Sequence, residues 1–352
     1  MQKKIITLAV VAAFSTPAFA DVTPYGIIDA TMINVSASHQ KSDFLAYSGG
    51  ASASRIGAKI TEDLGDGLTA VGVLEYGLDT EISSGLSAAT ARQQMLALAG
   101  SFGTVATGYL QTAGYDFAGK FDPLTGSSAS PIQSITKGGG FLIGASTVAA
   151  RAQRALAYIS PDLGGLTLAV NYATDIRATG SLGNLTLADT AANQKVSATL
   201  ASATYVAGSL TVGVAYAGTS NPVGTNDVKE YAGGGSYDLG VAKVMGSYQS
   251  STKNSVTNSA YSLSGVMPVG TNAVALSYAK NSMKTANTNG SGYTLGYLHT
   301  LSKTTTAYAA YSSSTNDSGT NAYSVANNAL AGGTWANGGS SSLVAVGLRK
   351  KF

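Results

Sequence analysis

The last ten residues of the chain, LVAVGLRKKF, alternate between two kinds of side chain. One face of this segment carries four large apolar side chains, Val344, Val346, Leu348 and Phe352, and the other face is small, apolar or basic. A strand with one apolar face that ends on an aromatic ring fits the wall of a transmembrane barrel, because the ring then lies in the interfacial girdle. An edge strand of a soluble sheet is the alternative. We expect this strand to close a β-barrel by pairing with the first strand of the mature chain.

The N-terminus has the pattern of a secretory signal. Lys3 and Lys4 precede an apolar run over residues 5–14, and Ala18-Phe19-Ala20 has the small-x-small pattern of a cleavage site. This predicts a cleaved signal peptide over residues 1–20 and a single barrel domain over residues 21–352.

Composition narrows the class of protein. Charged residues make up 11% of the chain, against about 25% in a typical soluble domain. After the signal, no apolar run is long enough for a helical span, so strands are left as the structure that can cross a membrane. Without cysteine there is no disulfide framework and no thiolate metal site. Removal of Lys3 and Lys4 lowers the formal net charge from +3 to +1, and no basic cluster remains that would bind nucleic acid.

Segments of alternating polarity recur along the whole mature chain, separated in turn by tight turns and longer polar loops. The predicted turns lie at 62–67, 101–104, 160–165, 207–209, 238–240, 268–272 and 301–303. The predicted loops lie at 38–52, 84–91, 112–150, 177–193, 219–226, 252–257, 282–289 and 316–340. Turns and loops in strict alternation predict an all-β fold, a transmembrane antiparallel β-barrel of sixteen strands.

The connection over 112–150 is too long for a plain linker. Its apolar residues can pack against the inner wall of a barrel, so we expect this third loop to fold into the lumen. Its polar residues Asp116, Lys120 and Asp122 would then narrow the pore. A loop that only covers the mouth of the barrel is the alternative.

Charged side chains within strands are expected to face the lumen, because a charge facing lipid costs about 2–4 kcal/mol at mid-membrane. Alternation places Arg55 and Lys59 inward on one strand and Glu75 inward on the next. Arg92 and Arg151 begin strands next to loops. Each of these residues could instead form an ion pair that only stabilises the wall.

Several segments together resemble the Gram-negative general-diffusion porins. These are residues 21–30, SRIGAKITEDLGDGLTAVGVLEYGLDTE at 54–81, SFGTVATGY at 101–109, the Tyr115-Asp116 pair, residues 157–173, residues 231–244 and the terminal VGLRKKF. The resemblance covers essentially the whole mature chain. It implies a homotrimer of sixteen-stranded barrels in the outer membrane, each with its third loop folded inward.

The resemblance also implies roles for individual residues at the pore constriction. Arg55 and Lys59 match basic positions of the second strand, Arg92 one of the fourth and Arg151 one of the sixth. Glu75 matches a carboxylate of the third strand, and Asp116 and Asp122 are the nearest acids of the third loop. Two departures from the family pattern are Tyr109, where arginine is common, and Arg154, where a small polar residue is common.

The sequence therefore predicts a passive channel for ions and small hydrophilic solutes. A weak anion preference is expected because basic residues of the wall outnumber acids of the loop. A substrate-specific channel and a non-conducting structural or adhesin barrel are the alternatives. An enzyme is disfavoured, because only His39 and His299 could act as a histidine base and nothing in the sequence suggests a serine and a carboxylate around either. No cofactor is expected.

Overall fold

A computed structural model of the protein describes residues 20–352, apart from 83–85, 87–89, 145–149, 177–194, 222–226 and 326–335. The predicted signal peptide lies almost wholly outside the described residues and stays a prediction. The predicted loop at 177–193 lies wholly outside them, and so do parts of four others, those at 84–91, 112–150, 219–226 and 316–340. In the part of the chain that is described, no helix is both long enough and apolar enough to cross a membrane.

The strands form one antiparallel sheet that closes on itself. The last strand, β17 (Ser340–Lys351), pairs with the first, β1 (Asp21–Ala37), from Ile27 opposite Lys351 to Ala37 opposite Ser341. Beyond the strand end, the Gly26 amide donates to the Phe352 carbonyl oxygen at 3.0 Å. The predicted seam is confirmed, and the sheet has no open edge there to leave backbone groups unpaired in lipid.

Seventeen strand segments build the wall. Between β1 and β17 they are β2 (Asp43–Ser48), β3 (Arg55–Gly65), β4 (Leu68–Gly77), β5 (Ala91–Gly100), β6 (Gly103–Gln111), β7 (Arg151–Ile159), β8 (Leu166–Ala173), β9 (Ser197–Ala207), β10 (Leu210–Ser220), β11 (Val228–Asp238), β12 (Lys243–Lys253), β13 (Val256–Val269), β14 (Asn272–Ser282), β15 (Gly290–Ser302) and β16 (Thr305–Asn316). Each strand from β3 to β16 pairs with the strand that follows it in the chain.

Two of these segments share one place in the barrel. β2 pairs with the second half of β1 and β3 with its first half, so β2 and β3 together form the second barrel strand. This gives the sixteen barrel strands that the sequence predicts. Residues 49–54, which interrupt this strand, are held by Asp29 of β1, whose carboxylate accepts from the Ala51 amide at 3.1 Å and the Ser52 amide at 2.7 Å. We call residues 49–54 the shelf.

The structure corrects two predicted loops. The loop predicted at 38–52 is shorter, because residues 43–48 return as β2 along β1. The loop predicted at 252–257 is a tight hairpin in which Lys253 lies opposite Val256. Its two central residues, Asn254 and Ser255, have φ of 49° and 63°, the backbone that two-residue hairpins of right-twisted strands require. The seven predicted tight turns all join consecutive strands.

Side chains alternate between two faces of the wall, as predicted. On β4 the side chain of Leu74 is 46% exposed, whereas the adjacent Glu75 is 5% exposed. On β1 Ile28 is exposed and Asp29 is buried. The outer face at these positions is therefore apolar, and the carboxylates Asp29 and Glu75 point inward.

The connection between β6 and β7 carries two short helices, α1 (Ala113–Gly119) and α2 (Pro131–Gly138). The Thr112 hydroxyl accepts from the Tyr115 amide and so caps the start of α1, while Ser130 caps α2, which has proline in its first turn. α1 contacts β9 and β10, and α2 contacts β14 and β15. The connection thus packs across the inner face of the wall.

The assignment of the outer face leads to a prediction for Leu263, which is exposed on that face in the middle of β13. We expect Leu263→Arg to lower the free energy of unfolding by about 2–4 kcal/mol, because the cation would lie in hydrocarbon. Urea unfolding in lipid vesicles measures the change. Val241→Arg, in the turn between β11 and β12, is the control and should cost about 0–1 kcal/mol. Equal losses in the two variants would contradict the assignment.

Candidate functional site

Two arginines and a tyrosine converge on one carboxylate of the inner wall. Glu75 of β4 accepts from Arg92 Nε at 2.6 Å and from the Tyr25 hydroxyl at 3.1 Å. Its Oε2 atom lies 3.5 Å from Arg55 Nε. Gly57 lies between Tyr25 and Glu75 in the register of β1, β3 and β4. A methyl group there would lie 2.6 Å from the Tyr25 ring, so glycine lets this ring cross β3 and reach the carboxylate.

Arg151, the first residue of β7, adds a third guanidinium to this cluster. Its guanidinium carbon lies 5.7 Å from the centre of the Tyr115 ring on α1, within the range of a cation–π contact. Arg92 is close enough to repel both Arg55 and Arg151 electrostatically. Nε and Nη2 of Arg151 are buried and have no hydrogen-bond partner among the described residues. We call Arg55, Arg92, Arg151 and Glu75 the arginine cluster.

The arginine cluster carries excess positive charge. Three guanidinium groups and one carboxylate give a formal charge of 3 − 1 = +2, and arginine does not lose its proton in proteins. The cluster is therefore chemically suited to attract anions and to repel cations.

The other predicted constriction residues are placed differently. Asp116 lies on α1, and Lys120 is the residue that caps the end of this helix. Both are exposed, and the Asp116 carboxylate accepts from the Gln111 side-chain amide. Their opposite charges offset each other, although Asp116 also lies within electrostatic reach of Arg151. Lys59 is exposed on β3, and no described contact joins it to the arginine cluster. The structure thus brings four of the eight predicted residues together.

Asp122 differs from its predicted place. Its side chain is buried, and its carboxylate accepts from the Ser130 hydroxyl at 2.7 Å and from the Leu124 amide at 2.9 Å. Burial raises the pKa of the Asp122 carboxyl, against the lowering effect of these hydrogen bonds. Asp122 therefore stabilises the turn before α2 and does not present its charge to water.

The connection is seated on the wall by aromatic rings. Phe117 and Phe121 meet edge to face, with ring centres 5.2 Å apart, and both are buried. A methyl group at Gly234 of β11 would lie 2.4 Å from the Phe121 ring. The glycine at this inward position therefore allows the connection to lie close against the strand.

Hydrogen bonds tie the rest of the connection to separate parts of the barrel. The Ala113 amide donates to Asn171 Oδ1 at 2.6 Å, and the Ala53 amide of the shelf donates to the Gly126 carbonyl at 3.0 Å. The Thr294 hydroxyl donates to the Ala129 carbonyl at 2.5 Å. These contacts reach the shelf, β8 and β15, so the connection is bound to three separate parts of the barrel.

Sequence reasoning did not assign Tyr25, Asn171 or Glu230 to the site. Glu230 could have been suspected from its pattern, because it is a carboxylate on the inward face of a strand otherwise rich in small residues. Nothing in the sequence separates Tyr25 and Asn171 from other polar residues of the inner face. In the described part of the chain, no group of three or more His, Cys, Asp or Glu residues could hold a metal ion.

Comparisons with known proteins agree with this architecture. Residues 7–319 match the family model of the Gram-negative porins. The chain is 30% identical to outer membrane porin protein 32 of Delftia acidovorans, with all of both chains covered.

Solved structures give the same result. An anion-selective porin from Comamonas acidovorans superposes with a TM-score of 0.78 at 27% identity, covering 95% of this chain and 100% of that one. OmpT of Vibrio cholerae, an outer membrane protein described in a trimer form, has a TM-score of 0.63 at 16% identity, covering 95% of this chain and 99% of that one. At this level of identity, the likeness to OmpT shows the fold alone.

The contact of Phe121 with the wall leads to a prediction with a matched control. Gly234→Ala should force the Phe121 ring off β11 and destabilise the protein by about 1–3 kcal/mol, the usual cost of overpacking. Single-channel recording would show a changed conductance as well. At the adjacent Gly233 a methyl group meets no atom within 4 Å. Gly233→Ala should therefore leave stability and conductance unchanged, and equal effects of both variants would show that Phe121 does not rest on Gly234.

Proposed function

This chain belongs to the Gram-negative porin family, and we propose that its barrel is a water-filled channel of the outer membrane with a preference for anions. Ions and small hydrophilic solutes would cross it by passive diffusion. The observation that carries the anion preference is the arginine cluster, in which one carboxylate faces three guanidinium groups.

The charges of the connection do not cancel this excess. Asp122 is withdrawn into the turn before α2, and Asp116 shares the exposed side of the connection with Lys120. A low-dielectric wall lined by one sign of charge raises the local concentration of the opposite ion. Because the Debye length is about 8 Å at physiological ionic strength, this effect is confined to the narrow part of the pore. The anion-selective relative supports the same sign of preference.

Planar-bilayer recording tests the channel itself. Stepwise openings are expected, and their absence would favour the alternative of a non-conducting barrel. In a gradient of potassium chloride, the zero-current potential should have the sign of chloride preference.

A charge reversal within the arginine cluster gives the sharper test of the anion preference. Arg151→Glu lowers the formal charge of the cluster from +2 to 0 and should shift the zero-current potential towards cation preference. Lys303→Glu makes the same change of charge in the turn between β15 and β16, away from the cluster, and is the control. An unchanged potential in Arg151→Glu would remove Arg151 from the constriction.

We also propose that the channel is a homotrimer, because the outer face of the barrel has two different walls. Among the described residues, the strongly exposed tyrosines all lie on β7–β16: Tyr158, Tyr172, Tyr205, Tyr231, Tyr237, Tyr248, Tyr261, Tyr278, Tyr293, Tyr297 and Tyr311. The wall formed by β17 and β1–β6 exposes mainly aliphatic side chains such as Met32, Leu96 and Val346, together with the phenylalanines Phe44 and Phe352. Tyrosine rings belong at the lipid interface, so a wall without them is suited to contact with other copies of the chain.

The two walls predict different responses to the same substitution. Leu96 on β5 is 62% exposed and Val214 on β10 is 60% exposed. Both arginine variants would carry the cost of a charge on the outer face, but only Leu96→Arg should abolish trimers. Electrophoresis of unheated samples measures this loss. Trimers that survive Leu96→Arg, or that are lost equally in Val214→Arg, would contradict the proposed interface.

A further inference from the structure

Glu230 is a buried carboxylate that the arginine cluster does not use. It lies on the inward face of β11 and is 0% exposed. Its oxygens accept from the Leu142 amide at 2.8 Å and the Ile143 amide at 2.9 Å, at the end of the connection that leads to β7. In the described residues, none of the salt bridges involves Glu230. A buried carboxylate without a cation is costly unless hydrogen bonds satisfy it. The two backbone amides do this together with the side chain of Ser251, which lies opposite Glu230 on β12.

Gln249 of β12 completes this contact. Its side-chain Nε2 donates to Glu230 at 3.3 Å and to the Ile143 carbonyl at 3.0 Å. The backbone on both sides of the 142–143 peptide bond is therefore bound by side chains of two adjacent strands. We call Glu230 and Gln249 the latch.

The segment held by the latch packs against the back of α1. A methyl group at Gly114 of α1 would lie 3.4 Å from Ile143 Cγ1, and a methyl group at Gly144 would lie 3.1 Å from the Cβ of Ala118. Such distances mean that the two backbones are in close contact. The residue that follows Gly114 on α1 is Tyr115, whose ring lies against the Arg151 guanidinium. A continuous set of contacts thus leads from Glu230 through residues 142–144 and α1 to the arginine cluster.

We propose that Glu230 is a positioning residue for the pore constriction. It holds residues 142–144 against β11 and β12, and these residues hold α1 so that Tyr115 remains against Arg151. The inference rests on the proposed function, because it assigns to Glu230 the task of keeping the narrow part of the channel in one conformation.

Glutamine at position 230 is the substitution that tests this role. A carboxylate offers two acceptor oxygens, whereas an amide offers one oxygen and turns two N–H donors towards its partners. Glu230→Gln would therefore lose the hydrogen bond from one of the two backbone amides, that of Leu142 or that of Ile143. With the latch loosened, α1 can move, and single-channel recording should show greater open-channel current noise. The zero-current potential in a potassium chloride gradient should shift towards zero.

The sign of this shift separates positioning from a plain effect of charge. Removing a negative charge from the inner wall would by itself increase anion preference, whereas a displaced arginine cluster decreases it. Asp238→Asn is the matched control, because it removes the same charge from the exposed end of β11 and keeps an acceptor for the Gly240 amide. Noise and potential in Glu230→Gln that equal those of the wild type, or a shift to stronger anion preference, would overturn the proposal.

Two further measurements cover a variant that fails to fold and a wild-type protein that forms no channel. If Glu230→Gln does not form folded trimers, hydrogen exchange of the wild-type channel takes its place: the amides of Leu142 and Ile143 should be protected. Exchange at the rate of exposed loop amides would overturn the proposal. A wild-type protein that is silent in bilayers would instead defeat the proposed function, so the two failures can be told apart.

Discussion

The pairing of β1 with β17 is the constraint on which the rest of the structure depends. In hydrocarbon an unpaired backbone amide or carbonyl costs several kcal/mol, so a sheet can cross a membrane only if it has no edge. Closure fixes which side of every strand faces outward. The membrane-spanning part of the outer face then has to be apolar, and carboxylates such as Asp29 and Glu75 are directed into the enclosed space. The charge inside the pore is therefore a consequence of the pairing of β1 with β17.

Part of the interior is occupied by a segment that packs against the wall through its own buried side chains. The connection between β6 and β7 buries Phe117 and Phe121 against the wall, and Gly234 gives it room to do so. Because these apolar side chains pack against the wall, the connection lies with Tyr115 beside Arg151. The same segment therefore supplies both the packing that holds it in place and the aromatic ring beside the arginine cluster.

The sequence was sufficient for features that depend on alternation and not for those that depend on tertiary contacts. The inward position of Glu75 follows from the cost of charge in lipid, and the structure agrees with it. The return of residues 43–48 along β1 was missed, because a strand of six residues beside a polar segment resembles a loop. The burial of Asp122 and the latch on Glu230 depend on where a long connection folds back, and local sequence does not encode this.

The arginine cluster offers the most direct test of how this channel treats ions. Crystals of the protein soaked in bromide would be measured at the bromine absorption edge, where bound bromide gives an anomalous signal. We predict a peak beside Arg55, Arg92 and Arg151, where two nitrogens of Arg151 have no protein partner among the described residues. A map with no anomalous density there would contradict an anion-attracting constriction. A rubidium peak at the same place, in a separate crystal soaked in a rubidium salt, would contradict it as well.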